Sequence, residues 1–402
     1  MVDDMGIGAR IGALRTRRGL TQEELAGLAG ISVSLLRKIE QGVRPVTKFV
    51  RLLDIAQALR VRDLAELTGV PLPLMPNGHR THPGVPAVRD ALTAYSVPAV
   101  DRPPDLIDLA SRIETAWTRW QRPGAFRLAQ TGQDLPALIS AVRAALSVVD
   151  GPERTQALAE ASKLYQLVRG WCKRVGEHDL AWIAGDRAIT LARDTGDVDQ
   201  VAAAGWCMVA TLGGKGHVDQ AREVARQAID ELRPWMTDPP VHRVSLWGAL
   251  HLHTSWTASL VDDERTVDAA LEEAERAAAV TGERNDFRTV FGPTNVAVHR
   301  ANALVELGKA GAALRVGEQV RIDQAPSVER RFSHHVALAR AYTQRREDVA
   351  AVTMLRRVEQ ESREEVQVSS LVRETIRELV ARETPATSAE LRPLARLAGV
   401  ID

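Results

Sequence analysis

Cysteine is nearly missing from this 402-residue chain, which has only Cys172 and Cys207. Two cysteines build no disulfide framework, and that fits a reducing cytoplasm. Long apolar runs are missing as well. None reaches the ~18 residues of a membrane span, and the N-terminus has no signal-peptide apolar core. The expectation is a soluble, cytoplasmic protein with no membrane partner. Lysine is scarce, at six of the 52 basic residues. Arginine and alanine in such excess suggest a GC-rich, actinobacterial genome. Net charge is +0, so the whole chain is not a nonspecific polycation.

Catalytic signatures are lacking too. There is no phosphate-cradling Gly-x-x-x-x-Gly-Lys and no nucleophile elbow. Carboxylates such as Glu272, Glu273 and Glu275 fall on solvated helix faces. No catalytic residue is nominated, and neither an enzyme activity nor a cofactor is expected. Metal motifs of the Cys-x-x-Cys or His-Glu-x-x-His kind do not occur. The pairs His251/His253 and His334/His335 point about 200° and about 100° apart on a helix, so neither chelates well. No metal site is expected. Cys172 and Cys207 read as apolar fillers.

What the chain does have is concentrated in Thr21–Gly42. Thr21 with Glu24 makes a capping box that opens a short helix. Gln22 sits at the start of that helix, where its amide and free backbone N–H groups can meet a phosphate. Leu25 and Ala26 face inward, Ala26 being small where two helices cross. Gly30 supplies the positive φ that ends the helix. Ile31 plugs the gap, and Ser32 caps the next helix. There Leu35, Leu36 and Ile39 have buried helical spacing, leaving Val33, Ser34, Arg37 and Lys38 outside. Gly42 ends it, and Arg44-Pro45 leads to Thr47, the cap of a further helix. Two short helices about a glycine turn are the layout of a DNA-reading helix-turn-helix.

This stretch resembles the Xre family, the lambda-type phage repressor fold. An opening helix over about Ile7–Arg18, a fourth over Thr47–Leu59 and a fifth over Asp63–Leu67 agree with it. The resemblance implies that residues 32–34, 37 and 38 face the major groove. Gln22 and Arg44 would clamp phosphates, with Lys48 a further candidate. Ser32 and Ser34 can bond base edges or phosphates, Val33 a thymine methyl, and Arg37 or Lys38 a guanine. Residues 1–70 hold 11 basic against 8 acidic residues, and the remainder 41 against 44. A mildly basic head on a mildly acidic body suits a specific DNA reader.

Residues 71–104 contain eight prolines and read as a linker between a 1–70 head and a 105–402 body, with Val88–Tyr95 a short helix inside it. From about 105 onward there is no strand signal. Gly176, Gly216 and Gly308 are each followed five residues later by an alanine that opens the second helix of a pair. Arg346–Ala351 continues the series, and Asp263–Ala269 is a further member. The interval from 216 to 308 fits two units. Gly170-Trp171-Cys172 recurs as Gly205-Trp206-Cys207, a spacing that this register does not explain. The body looks like a tetratricopeptide-like superhelix with irregular repeats, so the fold class is all-α throughout. The whole layout resembles a group of actinobacterial regulators with an Xre head and a tetratricopeptide-like body. The likeness is carried by Phe291–His299, Glu306–Gly308 and Glu329–Arg331. More distantly it is similar to peptide-pheromone receptors of Gram-positive bacteria.

A superhelix of helix pairs lines its concave face with the first helix of each pair. Trp247, His251 and Ser255 recur at i, i+4, i+8, and Asn295, His299 and Asn302 share a face likewise. Trp206 and His335 (or His334) join from neighbouring units. Such a mixed aromatic and hydrogen-bonding lining suits a peptide or small-molecule effector. The reading is a DNA-binding regulator, by default a repressor, that binds a palindromic operator as a homodimer at the nucleoid. In the alternative, the chain is an adaptor whose superhelix grips a partner protein while the head only localises it.

Overall fold

The computed structural model describes residues 6–44, 46, 49–59, 61, 65–68, 82–96, 105–124, 126–213 and 217–401. They form two compact units, residues 1–79 and 80–402. Among the described residues there is no strand, only an isolated bridge between Arg284 and Phe291. No helix among them is long and apolar enough to cross a membrane.

The head contains α1 (Ile7–Arg17), α2 (Gln22–Leu28), α3 (Val33–Glu40), α4 (Phe49–Ala58) and α5 (Ala65–Thr68). Its core is Ile11, Leu25, Ala26, Leu35, Leu36, Ile39, Leu52, Ile55, Leu59 and Leu67. The capping box forms as expected. Thr21 Oγ1 accepts from Glu24 N at 3.1 Å, and Glu24 Oε2 accepts from Thr21 N at 2.7 Å. Gly30 has φ 63°, and Ile31 N reaches back to the Ala26 carbonyl at 3.0 Å, closing the turn. A Cβ on Gly8 would lie 1.9 Å from the Ile39 carbonyl oxygen, so α1 crosses α3 closely only because that residue is glycine. Thr47 and Lys48 lie outside the described residues.

The body opens with α6 (Val85–Thr93), α7 (Leu106–Gln121) and α8 (Arg127–Val148). Pairs then follow: α9 (Gly151–Arg174) with α10 (His178–Thr195), α11 (Val198–Gly213) with α12 (Val218–Leu232), and α13 (Val241–Ser259) with α14 (Glu264–Thr281). Next come α15 (Pro293–Glu306) with α16 (Ala310–Gly317) and α17 (Val328–Gln344) with α18 (Asp348–Glu361). The chain finishes with α19 (Arg363–Val368), α20 (Ser370–Val380) and α21 (Pro385–Leu397). The first helices of successive pairs, α9, α11, α13, α15 and α17, pack side by side.

In four of the pairs, α9/α10, α13/α14, α15/α16 and α17/α18, the turn follows one recipe. A residue takes positive φ, and the next N–H reaches the carbonyl five residues back. Gly176 (φ 84°), Asp262 (62°), Gly308 (72°) and Arg346 (61°) fill this place. The bonds are Glu177 to Cys172, Asp263 to Ala258, Lys309 to Leu304 and Glu347 to Tyr342, at 2.8–3.1 Å. Asp262 falls midway between 216 and 308, so the expected missing unit is there, with aspartate in place of glycine. Gly216 lies outside the described residues. Trp171 and Trp206 are not equivalent. Trp171 sits at the end of its helix and donates to the Leu128 carbonyl at 2.8 Å, whereas Trp206 lies mid-helix and stacks on His253.

Proline content gave the wrong reading for part of the linker. Residues 85–93 form α6, whose Val85, Val88 and Leu92 are buried in the same core as Trp117, Trp120 and Trp171. Pro86 sits in the first turn of α6, where its missing N–H costs nothing.

Candidate functional site

In the head, α3 lays Leu35, Leu36 and Ile39 into the core. Helical period then leaves Ser32, Ser34, Arg37 and Lys38 exposed and Val33 half-buried. Ser32 Oγ accepts from Leu35 N at 3.2 Å, which caps α3 and leaves the hydroxyl proton for an outside acceptor. Gln22 is half-buried, with Nε2 donating to Glu40 Oε2 at 2.7 Å. Arg37 Nε faces Gln22 Oε1 at 3.4 Å. The Arg44 backbone N–H donates to the Lys38 carbonyl at 3.0 Å, which folds the chain after α3 back onto its last turn.

Glu40 was not visible as a site residue from the sequence. It accepts from Arg15 Nε at 2.7 Å and from Arg15 Nη2 at 3.1 Å, in addition to Gln22. Arg15 also donates to the Leu20 carbonyl at 2.8 Å. One carboxylate therefore ties α1, the start of α2 and the end of α3 together. It fixes Gln22 of α2 relative to Arg37 of α3. The only sequence clue was an acidic residue on an otherwise basic outer face.

Two helices that flank the paired array, α8 and α19, are bonded to each other. Arg127 and Glu365, 238 residues apart and 1% exposed at both side chains, form an ion pair. Arg174 joins Glu365 at 2.5 Å and Glu329 at 3.0 Å, and Trp120 Nε1 donates to Glu329 at 3.2 Å. Helix α8 has no side-chain cap of its own. Glu364 supplies one from across the array, accepting from Leu128 N at 2.8 Å and Ala129 N at 3.1 Å. Burial alone would raise the Glu329 carboxyl, but Arg174, Arg127, Arg330 and Arg169 hold it at about 2. Burial lowers Arg127 to about 10.

The expected effector residues do not form one face. Trp206 stacks on His253 with ring centres 4.7 Å apart, and His253 lies 6.1 Å from His299. Those three form one cluster, and His253 had been considered only as a metal ligand. Trp247 and His251 form another, 4.9 Å apart, with Arg233 over the Trp247 ring. His251 is influenced by Glu273 and Arg276 of α14, so it faces the paired helix. Asn302 Nδ2 donates to its own helix at Val298 O, 2.9 Å away. Asn295 is buried, with Oδ1 lacking a partner. His334 and His335 are both buried beside Asp323 and Arg357. Burial lowers His251, His334 and His335 to about 4 and His299 to about 3. With His253, which burial lowers well below its usual range, all five are held as neutral imidazoles. Burial also pushes the Cys172 thiol up to about 12, so it is an inert filler.

A cleft of about 340 Å³ opens elsewhere, between α7, α9, α11 and the 285–288 loop. Trp117, Glu160, Lys163, Gln166, Gln200 and Arg288 are among its lining residues. None of the seven expected effector residues lines it. Its loop carries Phe287, Arg288 and Val290 at φ 51°, 63° and 50°, a costly conformation for side chains of that size. Asn285 Nδ2 donates to Gln121 Oε1 at 2.8 Å, and Arg288 pairs with Glu114. Among the described residues no cluster of three or more metal-ligating side chains occurs.

Residues 7–70 match the family model described as a helix-turn-helix domain. No curated protein matches the chain. Among solved structures, the chain is similar to Bacillus thuringiensis PlcR in complex with the peptide PapR7 and DNA. Identity is 14%, covering 68% of this chain and 94% of that one, with a TM-score of 0.27.

Proposed function

We propose that the chain is a DNA-binding transcriptional regulator with an Xre-type head, acting as a homodimer and, by default, as a repressor. The observation that carries this is the outer face of α3. Ser32, Ser34, Arg37 and Lys38 project together beside Gln22 at the start of α2, and Glu40 holds the two helices in fixed relation. The match of residues 7–70 to a helix-turn-helix domain supports it. Helix α3 enters the major groove, Arg37 or Lys38 reads guanine, and Gln22 and Arg44 meet phosphates. Lys48, outside the described residues, adds a cation on the phosphate side.

The body dimerises and senses an effector, and it carries out no chemistry of its own. An effector shifts DNA affinity only through its differential affinity for two arrangements of the dimer. Two heads on one duplex call for half-sites about one helical turn apart, hence a palindromic operator. The test is to pass fragmented genomic DNA over the purified protein and sequence what is retained. The expected result is a small set of sites sharing a palindrome. Retention without sequence preference would contradict the reading.

A further inference from the structure

The interior of the body holds more cationic groups than carboxylates to pair them. On α9, Gln166, Arg169 and Lys173 follow at i, i+3 and i+7 and share a face. Arg169 is 7% exposed, and its Nε has no hydrogen-bond partner. The Nε of Arg330, at the start of α17, is likewise buried and unpartnered. Lys173 Nζ meets the Ala210 carbonyl at 2.6 Å and lies over the Trp256 ring at 5.7 Å. Of the carboxylates nearby, Glu365 is bonded to Arg127 and Arg174, and Glu329, bonded to Arg174 and Trp120, is shared with the charges of Arg169 and Arg330.

Lys173 reaches toward His253 through the Trp256 ring, whose centre lies 6.0 Å from that of His253. Arg169, Lys173 and Arg330 all disfavour a proton on His253, and Arg330 does so on His299. His253 Nδ1 is buried there without a partner, and so is the Oδ1 of Asn295, one turn from His299 on α15. Beside them the Trp206 and His253 rings stack within 5° of parallel. Burial, then Arg169 and Arg174, lowers Lys173 to about 7, a direction that an anion beside it would reverse.

We propose that this interior binds a small organic anion, a carboxylate or phosphate ester with an apolar or aromatic group. Arg169, Lys173 and Arg330 hold the charge, and the Trp206–His253 stack receives the apolar part. The proposal rests on the effector-sensing reading and names its ligand class. The cleft gives the way in. Gln166 lines it one turn from Arg169, and Ala203 lines it one turn from Trp206. Arg330 also donates to the Thr289 carbonyl at 3.1 Å, inside the loop of positive-φ residues. An anion that grips Arg330 therefore pulls on the segment that joins α7 to the far end of the array.

The test uses the full chain with phenyl phosphate, benzoate and the neutral benzyl alcohol. Tryptophan fluorescence and thermal melting are read for each. At least one anion is expected to bind saturably, raise the melting temperature and bind about tenfold or more tighter than benzyl alcohol. Arg169→Gln and Arg330→Gln should each weaken the anion about tenfold, while Lys309→Gln, on the surface, should not. If a variant fails to fold, competition by inorganic phosphate in the wild-type chain decides, with displacement expected. Benzyl alcohol binding as tightly as the anions, or neither anion binding up to millimolar concentration, would overturn the proposal. Retention of specific DNA without anion binding sinks this inference alone. Anion binding without DNA retention sinks the regulator reading alone.

Discussion

Lowering the pH from about 7 to about 5 is expected to remove several kcal/mol from the stability of the helical body. The cause is buried His253, His334 and His335 and half-buried His251 and His299, all held as neutral rings. Burial holds His251, His334 and His335 at about 4, His299 at about 3 and His253 well below its usual range. In the unfolded chain an imidazole takes up its proton at about 6.5. Between there and about 4 the unfolded state binds more protons than the folded one. The stabilisation is complete above the unfolded value and is lost as pH falls through this window.

Each fully buried ring contributes roughly 1 kcal/mol per pH unit, and several together rival a domain's net stability of about 5–15 kcal/mol. Half-buried His82, lowered by burial, adds to the same loss, whereas Glu329 and Lys173 act mostly outside the window. Glu329, held at about 2, loses its stabilisation only under much stronger acid. The cost of keeping Lys173 at about 7 is nearly complete at neutral pH and is constant below about pH 6. Far-UV circular dichroism melts between about pH 7 and about pH 5 measure this. A melting temperature flat across that range would show that the rings are accessible to protons. His299→Asn and His334→Gln should each make the dependence shallower.

Replacing Glu365 by alanine is expected to cost about 3–5 kcal/mol. The substitution leaves Arg127, itself 1% exposed at the side chain, in the interior without its counter-ion. Arg127 would keep the Trp120 carbonyl at 2.8 Å and the face of the Trp120 ring at 4.6 Å, and neither neutralises a charge. Arg174 would lose one of its two carboxylates. The double change Arg127→Met, Glu365→Leu removes both charges together and should cost less than Glu365→Ala alone. Urea denaturation of the three proteins measures the difference. If Glu365→Ala costs under about 1 kcal/mol, this pair does not hold the two ends of the array together.

The sequence made the head legible because its signals are local. Caps, a glycine turn and a helical apolar stripe all fall within Thr21–Gly42, and the structure returns each of them. What stayed hidden there was Glu40, whose partners lie 18 and 25 residues away. In the body, the pairing of helices was readable from small residues at the turns. The unit at Asp262 was less obvious, because aspartate there fills a position that glycine fills at 176 and 308. The structure sets Trp247 and His251 apart from Trp206 and His299, which the sequence groups with them. Helical period says which residues share a face, but not whether that face meets the array's interior or the paired helix. Arg127, Glu364 and Glu365 escaped notice because their contacts span more than 200 residues.

The most direct test of the account is the affinity of the full chain for a retained genomic site against a shuffled duplex, for the wild type and for Arg37→Ala. Fluorescence anisotropy at fixed salt gives both values. The wild type should prefer the site strongly. Arg37→Ala should keep its fold and lose about 1–3 kcal/mol of that preference, while its affinity for the shuffled duplex changes little. Equal preference in the two proteins would mean that α3 does not read the bases, and the outer face on which the account rests would have another purpose.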